Sequence, residues 1–276
     1  MRLEPAMGFP ERGQPGIFWL GQAGFWIETG SHRILIDPYL SDSLARKYAG
    51  KANDHRRMMP PPIMVEDLPK PDLVLVTHGH TDHMDPDTLS TLAQRFPDLP
   101  FIVPAARLGL AHERIGPTAS LTGMDADETL APLPGLTLTA LPAAHETLER
   151  DAEGRHVFLG YHLKTDAFNL YHSGDSIPFS GLSERLASLA PDIALLPVNG
   201  RDEVRLTAGI PGNFTLDEVI SLCRNIPYLI AHHFGMFAFN TIDPELIDQA
   251  AAALAAKGAY THLVRPIAGE HLRVLA

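Results

Sequence analysis

Thr77-His78-Gly79-His80-Thr81-Asp82-His83 places four potential metal ligands within residues 78–83, directly behind the apolar run Leu73-Val74-Leu75-Val76. Residues 72–77 read as a strand covered on both faces, which puts the motif at a strand's C-terminal end. In extended chain, residues two apart point the same way. His78 and His80 can therefore address one ion, while the turn at Thr81 redirects Asp82 and His83 to a second. Gly79 is expected to remove a side chain where the backbone passes close to the cations. A solvated loop capping the next helix does not account for the motif, because Ser or Asn would serve there as well as histidine.

Working outward, Asp85-Pro86-Asp87 supplies an N-cap, an N1 proline and an acid in the first turn, opening a helix to about residue 96. Upstream, residues 17–20, 24–28 and 33–37 are apolar and β-branched or aromatic, separated by glycine-containing turns, and read as an antiparallel meander. Trp19 and Trp26 belong to its core. Pro38 ends the third strand. Residues 43–71 are polar and proline-rich and read as a long loop of the functional or mobile kind.

Downstream of the motif a strand at 101–103 and a helix at 105–115 follow, then strands at 136–141, 157–163, 168–172, 192–197 and 228–231. Thr215-Leu216-Asp217-Glu218 is a capping box, and Asp243-Pro244-Glu245 opens an alanine-rich helix to about residue 257. Strands followed by strand-helix alternation thus occur twice. The order predicts an α/β (α+β) single domain over 1–276, a four-layer αββα sandwich of two mixed sheets with helices outside.

Two ions need more ligands than one motif supplies. His145 follows the strand at 136–141, Asp175 follows the strand at 168–172, and the pair His232-His233 follows the strand at 228–231. A carboxylate has two oxygens and can bridge two cations, which suits Asp175, while His145 and one histidine of the pair would each complete one shell. Neighbours on a strand face opposite ways, so His232 and His233 compete for one role.

The chain has 276 residues, with 45% hydrophobic and 20% charged, the composition of an ordinary globular enzyme. A net charge of −11 argues against a role in coating nucleic acid or anionic membrane. No stretch approaches the ~18 apolar residues of a membrane-spanning helix, and Met1-Arg2-Leu3-Glu4-Pro5 lacks the charged and apolar regions of a signal segment. One cysteine, Cys223, excludes an intrachain disulfide, and its apolar helical setting makes it a buried, inert thiol. The expected location is cytoplasmic, with a homo-oligomer left open.

The His-x-His-x-Asp-His motif, a later His, a Gly-Asp and a final His, in this order, resemble the metallo-β-lactamase superfamily. The resemblance implies His78, His80 and His145 as ligands of a first ion, Asp82, His83 and His233 as ligands of a second, and Asp175 as the bridge. It favours His233 over His232, which would pack behind the sheet. It also implies that Asp37 orients a ligating histidine from beneath. The segments Ile36-Asp37-Pro38-Tyr39-Leu40-Ser41, Pro197-Val198-Asn199-Gly200-Arg201-Asp202, Asn213-Phe214-Thr215 and His233-Phe234-Gly235-Met236-Phe237 look like the L-ascorbate-6-phosphate lactonase-like group, itself similar to N-acylphosphatidylethanolamine phospholipase D.

The expected activity is metal-dependent hydrolysis by a hydroxide bridging two divalent ions, with zinc as the default and manganese or iron as alternatives. Asp82 would orient that hydroxide and take its proton, with Asp175 the other catalytic carboxylate. The expected substrate is a lactone or similar ester of a small anionic molecule such as a phosphorylated sugar, with a small phosphodiester as the alternative and a non-catalytic metal-stabilised module as a third reading. Arg46, Lys47, Lys51, Arg56 and Arg57 crowd residues 43–57 against one acid, Asp54. A lid carrying those cations, with Arg56, Arg57, Asn199 and Arg201 as substrate contacts, is the expected anion site.

Overall fold

Alternation along the early strands decides the layering. In the computed structural model, which describes residues 1–276, Ile17 and Trp19 face one apolar cluster while Phe18 and Leu20 face another. Phe25 and Ile27 against Trp26, Ile34 and Ile36 against Leu35, and Leu73 and Leu75 against Val74 repeat the pattern. With period two and apolar residues on both faces, this sheet must be covered twice.

The first sheet takes β1 (Arg2–Met7), β2 (Gly16–Gly21), β3 (Gly24–Glu28), β4 (Arg33–Ile36), β5 (Leu73–Leu75), β6 (Pro100–Pro104), β7 (Ser120–Met124) and, from the C-terminal end, β15 (Glu270–Leu275). The second takes β8 (Thr129–Leu133), β9 (Leu136–Pro142), β10 (Leu159–Lys164), β11 (Asn169–His172), β12 (Ile193–Pro197), β13 (Tyr228–His232) and β14 (His262–Val264). Both are mixed. In the first sheet β4 to β7 are parallel and the remainder antiparallel, and in the second β11 to β14 are parallel.

Helices α2 (Pro86–Arg95) and α3 (Leu108–Ile115) cover the outer face of the first sheet through Leu89, Leu92, Ala111 and Ile115. On the second, α4 (Leu182–Leu189), α6 (Leu216–Leu222) and α7 (Pro244–Ala256) contribute Leu182, Leu186, Val219 and Ile247 to the larger cluster that also fills the space between the sheets. The architecture is the predicted αββα sandwich. Asp85 caps α2 by accepting from the Asp87 and Thr88 amides, and the Thr215–Glu218 capping box is present in both directions.

Some elements differ from the sequence reading. The segment 43–71 is not loop throughout, because Ser43 opens the short helix α1 (Ser43–Lys47), whose Ser43 hydroxyl donates to Asp85 at 2.7 Å. Residues 203–207, to which the sequence reading gave no element, form the short helix α5 (Glu203–Thr207), capped by Asp202. The edge strands β1, β7 and β8, and β15 beside β1, are polar or interrupted by proline, and β1 forms by pairing across the chain with β15 from Arg2↔Leu275 to Met7↔Glu270. Cys223 is fully buried at the end of α6, and burial pushes its thiol far above the usual range.

Candidate metal centre

All the candidate residues lie at the C-terminal ends of strands or just beyond them, along one rim of the sandwich. Behind β5 the chain turns tightly, with the His83 and Met84 amides both donating to the His80 carbonyl, at 3.1 and 2.7 Å. That turn brings His78, His80, Asp82 and His83 together before α2 begins. At Gly79 a Cβ would come within 2.9 Å of Leu110 Cδ2, so a larger residue would push that side chain aside.

The other strand ends converge on the same place. His145 follows β9, and its Nδ1 is tied to the Gly212 carbonyl at 2.9 Å, which aims Nε2 at Asp175 Oδ2, 3.7 Å away. Asp175 follows β11 through Gly174, which has φ +61° and where a Cβ would come within 2.6 Å of the Leu159 carbonyl oxygen. His233 follows β13 with φ +61° and lies with Nε2 3.1 Å from Asp175 Oδ2. His83 Nε2 is 3.4 Å from Asp175 Oδ1 on the other side.

Three groups of donor atoms result, each lying within 4.8 Å: His78, His80 and His145; His78, His83 and Asp175; and Asp82, His83 and His233. His232 points the other way. It stacks on His172 at 4.8 Å and meets the edge of Phe25, so it packs between the two sheets rather than behind one.

The atoms aimed at this centre fit a cation. His78 Nε2, His83 Nε2 and Asp175 Oδ1 are buried without any hydrogen-bond partner. Orphaned buried polar atoms destabilise a fold by ~1–3 kcal/mol each, a cost that bound cations would offset. Their partners on the other side are firm. Asp37, at φ +44° just after β4, accepts from His83 Nδ1 at 2.7 Å, from the Thr77 amide at 2.8 Å and from the Thr77 hydroxyl at 2.6 Å. An acid on Nδ1 fixes the ring and leaves Nε2 facing the centre.

Protonation favours ligation at His78 and His145, whereas His83, held charged against burial by Asp175, Asp37 and Asp82, must release a proton to bind a cation. Burial, and then the neighbouring His83, hold His78 neutral well below the usual histidine range, and burial lowers His145 to about 4. Against the upward push of burial, the charges of His233 and His83 keep Asp175 well below the carboxylate range, and Asp82 is lowered by the same two residues.

A cavity of about 250 Å³ opens onto this cluster. Its floor is His80, Asp82, His145, Asp175 and His233, and one wall is aromatic, from Tyr48, His55, Phe237 and Phe239. Two cations face it. Lys47 Nζ donates to the Thr81 hydroxyl at 3.3 Å, and Arg114 clamps the motif by donating to the Gly79 and Met84 carbonyls at 2.7 and 3.1 Å.

The expected substrate contacts are elsewhere. Arg56 is exposed and pairs with Asp54, while Arg57 is held by the carbonyls of Tyr39, Ser41 and Met59. Arg201 does make a bidentate pair, but with Glu218, at 2.7 and 2.6 Å, so its fork is already filled inside the fold. Asn199 is buried and donates to Asn240 Oδ1 at 2.8 Å, positioning a cavity-lining residue rather than lining the cavity itself. Of the basic loop only Lys47 reaches the cavity. Sequence reading missed Arg114, Asn240 and Gln22, whose Nε2 donates to Asp82 Oδ2 at 2.8 Å. A polar Gln22 inside an apolar meander was the one visible sign.

The beta-lactamase superfamily domain matches residues 32–234. The chain belongs to this superfamily. A metal-dependent hydrolase of Methanosphaerula palustris is 30% identical over 241 residues, covering 84% of this chain and 89% of its own. An N-acyl-phosphatidylethanolamine-hydrolyzing phospholipase D 1 of Caenorhabditis elegans is 26% identical over 199 residues, 67% of this chain and 54% of its own. Among solved structures, an isothiocyanate hydrolase from Delia radicum gut bacteria superposes with a TM-score of 0.73 at 20% identity, over 95% of this chain and 100% of that one. This superfamily member is an enzyme, a metal-dependent hydrolase. None of its helices is long and apolar enough to cross a membrane.

Proposed function

We propose that residues 1–276 act as one domain that hydrolyses a lactone or similar ester of a small anionic molecule at a centre of two divalent ions. The observation that carries the reading is the set of buried, unpartnered donors His78 Nε2, His83 Nε2 and Asp175 Oδ1 aimed at one another. His78, His80 and His145 would hold the first ion and Asp82, His83 and His233 the second, with Asp175 between them. Such ions acidify water toward neutral pH and draw charge from the carbonyl or phosphoryl oxygen under attack. With nitrogen and oxygen donors only, zinc is the default metal, and manganese or iron also suit the set.

The chain's own residues supply the remainder. Asp82 is the more open of the two central carboxylates, with 17% of its side chain exposed against 4% for Asp175, and it takes the proton of the attacking water. Its depressed pKa, set by His83 and His233 against burial, keeps it ionised for that task. Lys47, one of the basic-loop cations expected to bind the substrate's anionic group, holds that group together with Arg114. The aromatic wall of Tyr48, His55, Phe237 and Phe239 excludes water on the opposite side. A phosphodiester substrate is the second reading, favoured by the similarity to the phospholipase D, and the same residues would serve it.

Turnover of sugar lactones, with and without a phosphate group, against bis-aryl phosphate separates the two readings. Lys47→Met is expected to raise KM for the phosphorylated lactone about tenfold, or ~1.4 kcal/mol, with kcat little changed. The unphosphorylated analogue should be unaffected. Equal changes for both substrates would remove Lys47 from anion binding, and turnover of the phosphodiester alone would replace the lactone reading.

A further inference from the structure

Gln22 sits in the turn between β2 and β3, fully buried and with φ +50°. Its backbone carbonyl accepts from the Trp19 indole N–H at 3.0 Å and from the His233 amide at 2.9 Å, so this turn is fastened to the segment that carries His233. The side-chain amide then reaches the centre itself. Its Nε2 lies 2.8 Å from Asp82 Oδ2 and 3.1 Å from His233 Nε2, while its Oε1 is buried without a partner.

Burying an amide costs free energy unless both ends are hydrogen-bonded; here Oε1 has no partner, and because turning the amide over gives up the N–H bond to Asp82, the turned form is favoured only when a cation takes the oxygen. The orientation also opposes cation binding. The second N–H of the amide points at His233 Nε2, where a ligating nitrogen would have given its lone pair to an ion and an N–H dipole would be repelled. The two ends of an amide have the same shape, so turning it over exchanges Oε1 and Nε2 while every heavy-atom position is kept. The oxygen then stands within 3.1 Å of both Asp82 Oδ2 and His233 Nε2, the spacing of donors that share one cation.

We propose that Gln22 supplies its amide oxygen as an additional ligand of the second ion, beside Asp82, His83 and His233. The proposal rests on the two-ion reading above. It makes the two sites chemically unequal. The first is built from three imidazoles and one shared carboxylate, the second from two imidazoles and the oxygens of Asp82, Asp175 and Gln22. Oxygen-rich sites of higher coordination number suit manganese and iron(II) better than tetrahedral zinc does, so the second ion is the one expected to exchange zinc for manganese.

The test strips wild-type protein, Gln22→Asn and Gln22→Glu with chelator and titrates each with Mn(II) and with Zn(II), counting bound metal and recording thermal melts. Asn accepts a left-handed backbone at least as readily as Gln and remains polar, but it is one methylene too short to reach the ion. Gln22→Asn is expected to keep first-ion affinity and to bind the second ion at least about tenfold more weakly. Gln22→Glu, which has an oxygen at the same reach, is expected to retain or tighten the second ion. It decides alone if the shorter variant fails to fold. Unchanged second-ion affinity in folded Gln22→Asn, or loss of the second ion in Gln22→Glu, would overturn the ligand role and leave Gln22 as a donor to Asp82. Wild-type protein that binds one ion or none would overturn the two-ion reading, and the Gln22 ligand with it.

Discussion

Asp175→Ala is expected to reduce turnover by ~10³-fold or more and to strip more metal from the protein than any single histidine replacement. Asp175 reaches both halves of the centre: its Oδ1 lies 3.4 Å from His83 Nε2, and its Oδ2 lies 3.1 Å from His233 Nε2 and 3.7 Å from His145 Nε2. Losing it removes a donor from both proposed ions. It also leaves His83, whose charged form Asp175, Asp37 and Asp82 together stabilise against burial, with one fewer counter-charge. A thousandfold loss corresponds to ~4 kcal/mol of transition-state stabilisation, within reach of the several kcal/mol that metal centres supply. Metal content and kcat/KM measured on the same preparations check this. A variant that holds its full metal complement and loses less than tenfold in kcat/KM would show that Asp175 does not bridge.

Asp37→Ala has the next largest expected effect, and it falls on stability as well as metal binding. Asp37 and His83 are both fully buried, and Asp37 also accepts hydrogen bonds from the Thr77 amide and hydroxyl. Removing one partner of a buried, hydrogen-bonded ion pair typically destabilises by ~3–5 kcal/mol, because the remaining charge is left unpaired. Loss of the acid behind a ligating histidine weakens metal affinity by ~10–100-fold. Denaturant midpoints of the metal-free protein and chelator competition of the loaded protein separate the two effects. Asp37→Asn, which keeps an acceptor for His83 Nδ1, should recover part of both. A metal-free Asp37→Ala protein as stable as wild type would contradict the role.

The sequence carried those features of the site that are local. Residues 78–83 declare themselves because four potential ligands crowd one turn after an apolar strand, His145 and Asp175 because each stands alone behind a strand-like run, and His233 because the family resemblance picks it from the pair His232-His233. The αββα layering was legible because strands followed by strand-helix alternation occur twice along the chain.

What stayed hidden depends on distant parts of the chain. Arg201 reads as a free cation on a turn until Glu218, on α6, is seen to fill its guanidinium. Arg57 reads as part of a basic lid until three backbone carbonyls claim it. Arg114 lies in an unremarked stretch of α3 and acquires a role only because that helix packs behind Gly79. The edge strand β1 and its neighbour β15 carry Pro5, Glu4 and Arg273, a pattern that becomes a strand only when the two ends of the chain pair.

The central claim is that one chain binds two transition-metal ions through seven side chains. The most direct measurement is elemental analysis of the chain after chelation, reconstitution with zinc or manganese and removal of excess metal. The account predicts two ions per chain in wild type, falling in His78→Ala and His233→Ala. No retained transition metal in wild type, or two ions retained undiminished in both variants, would contradict it.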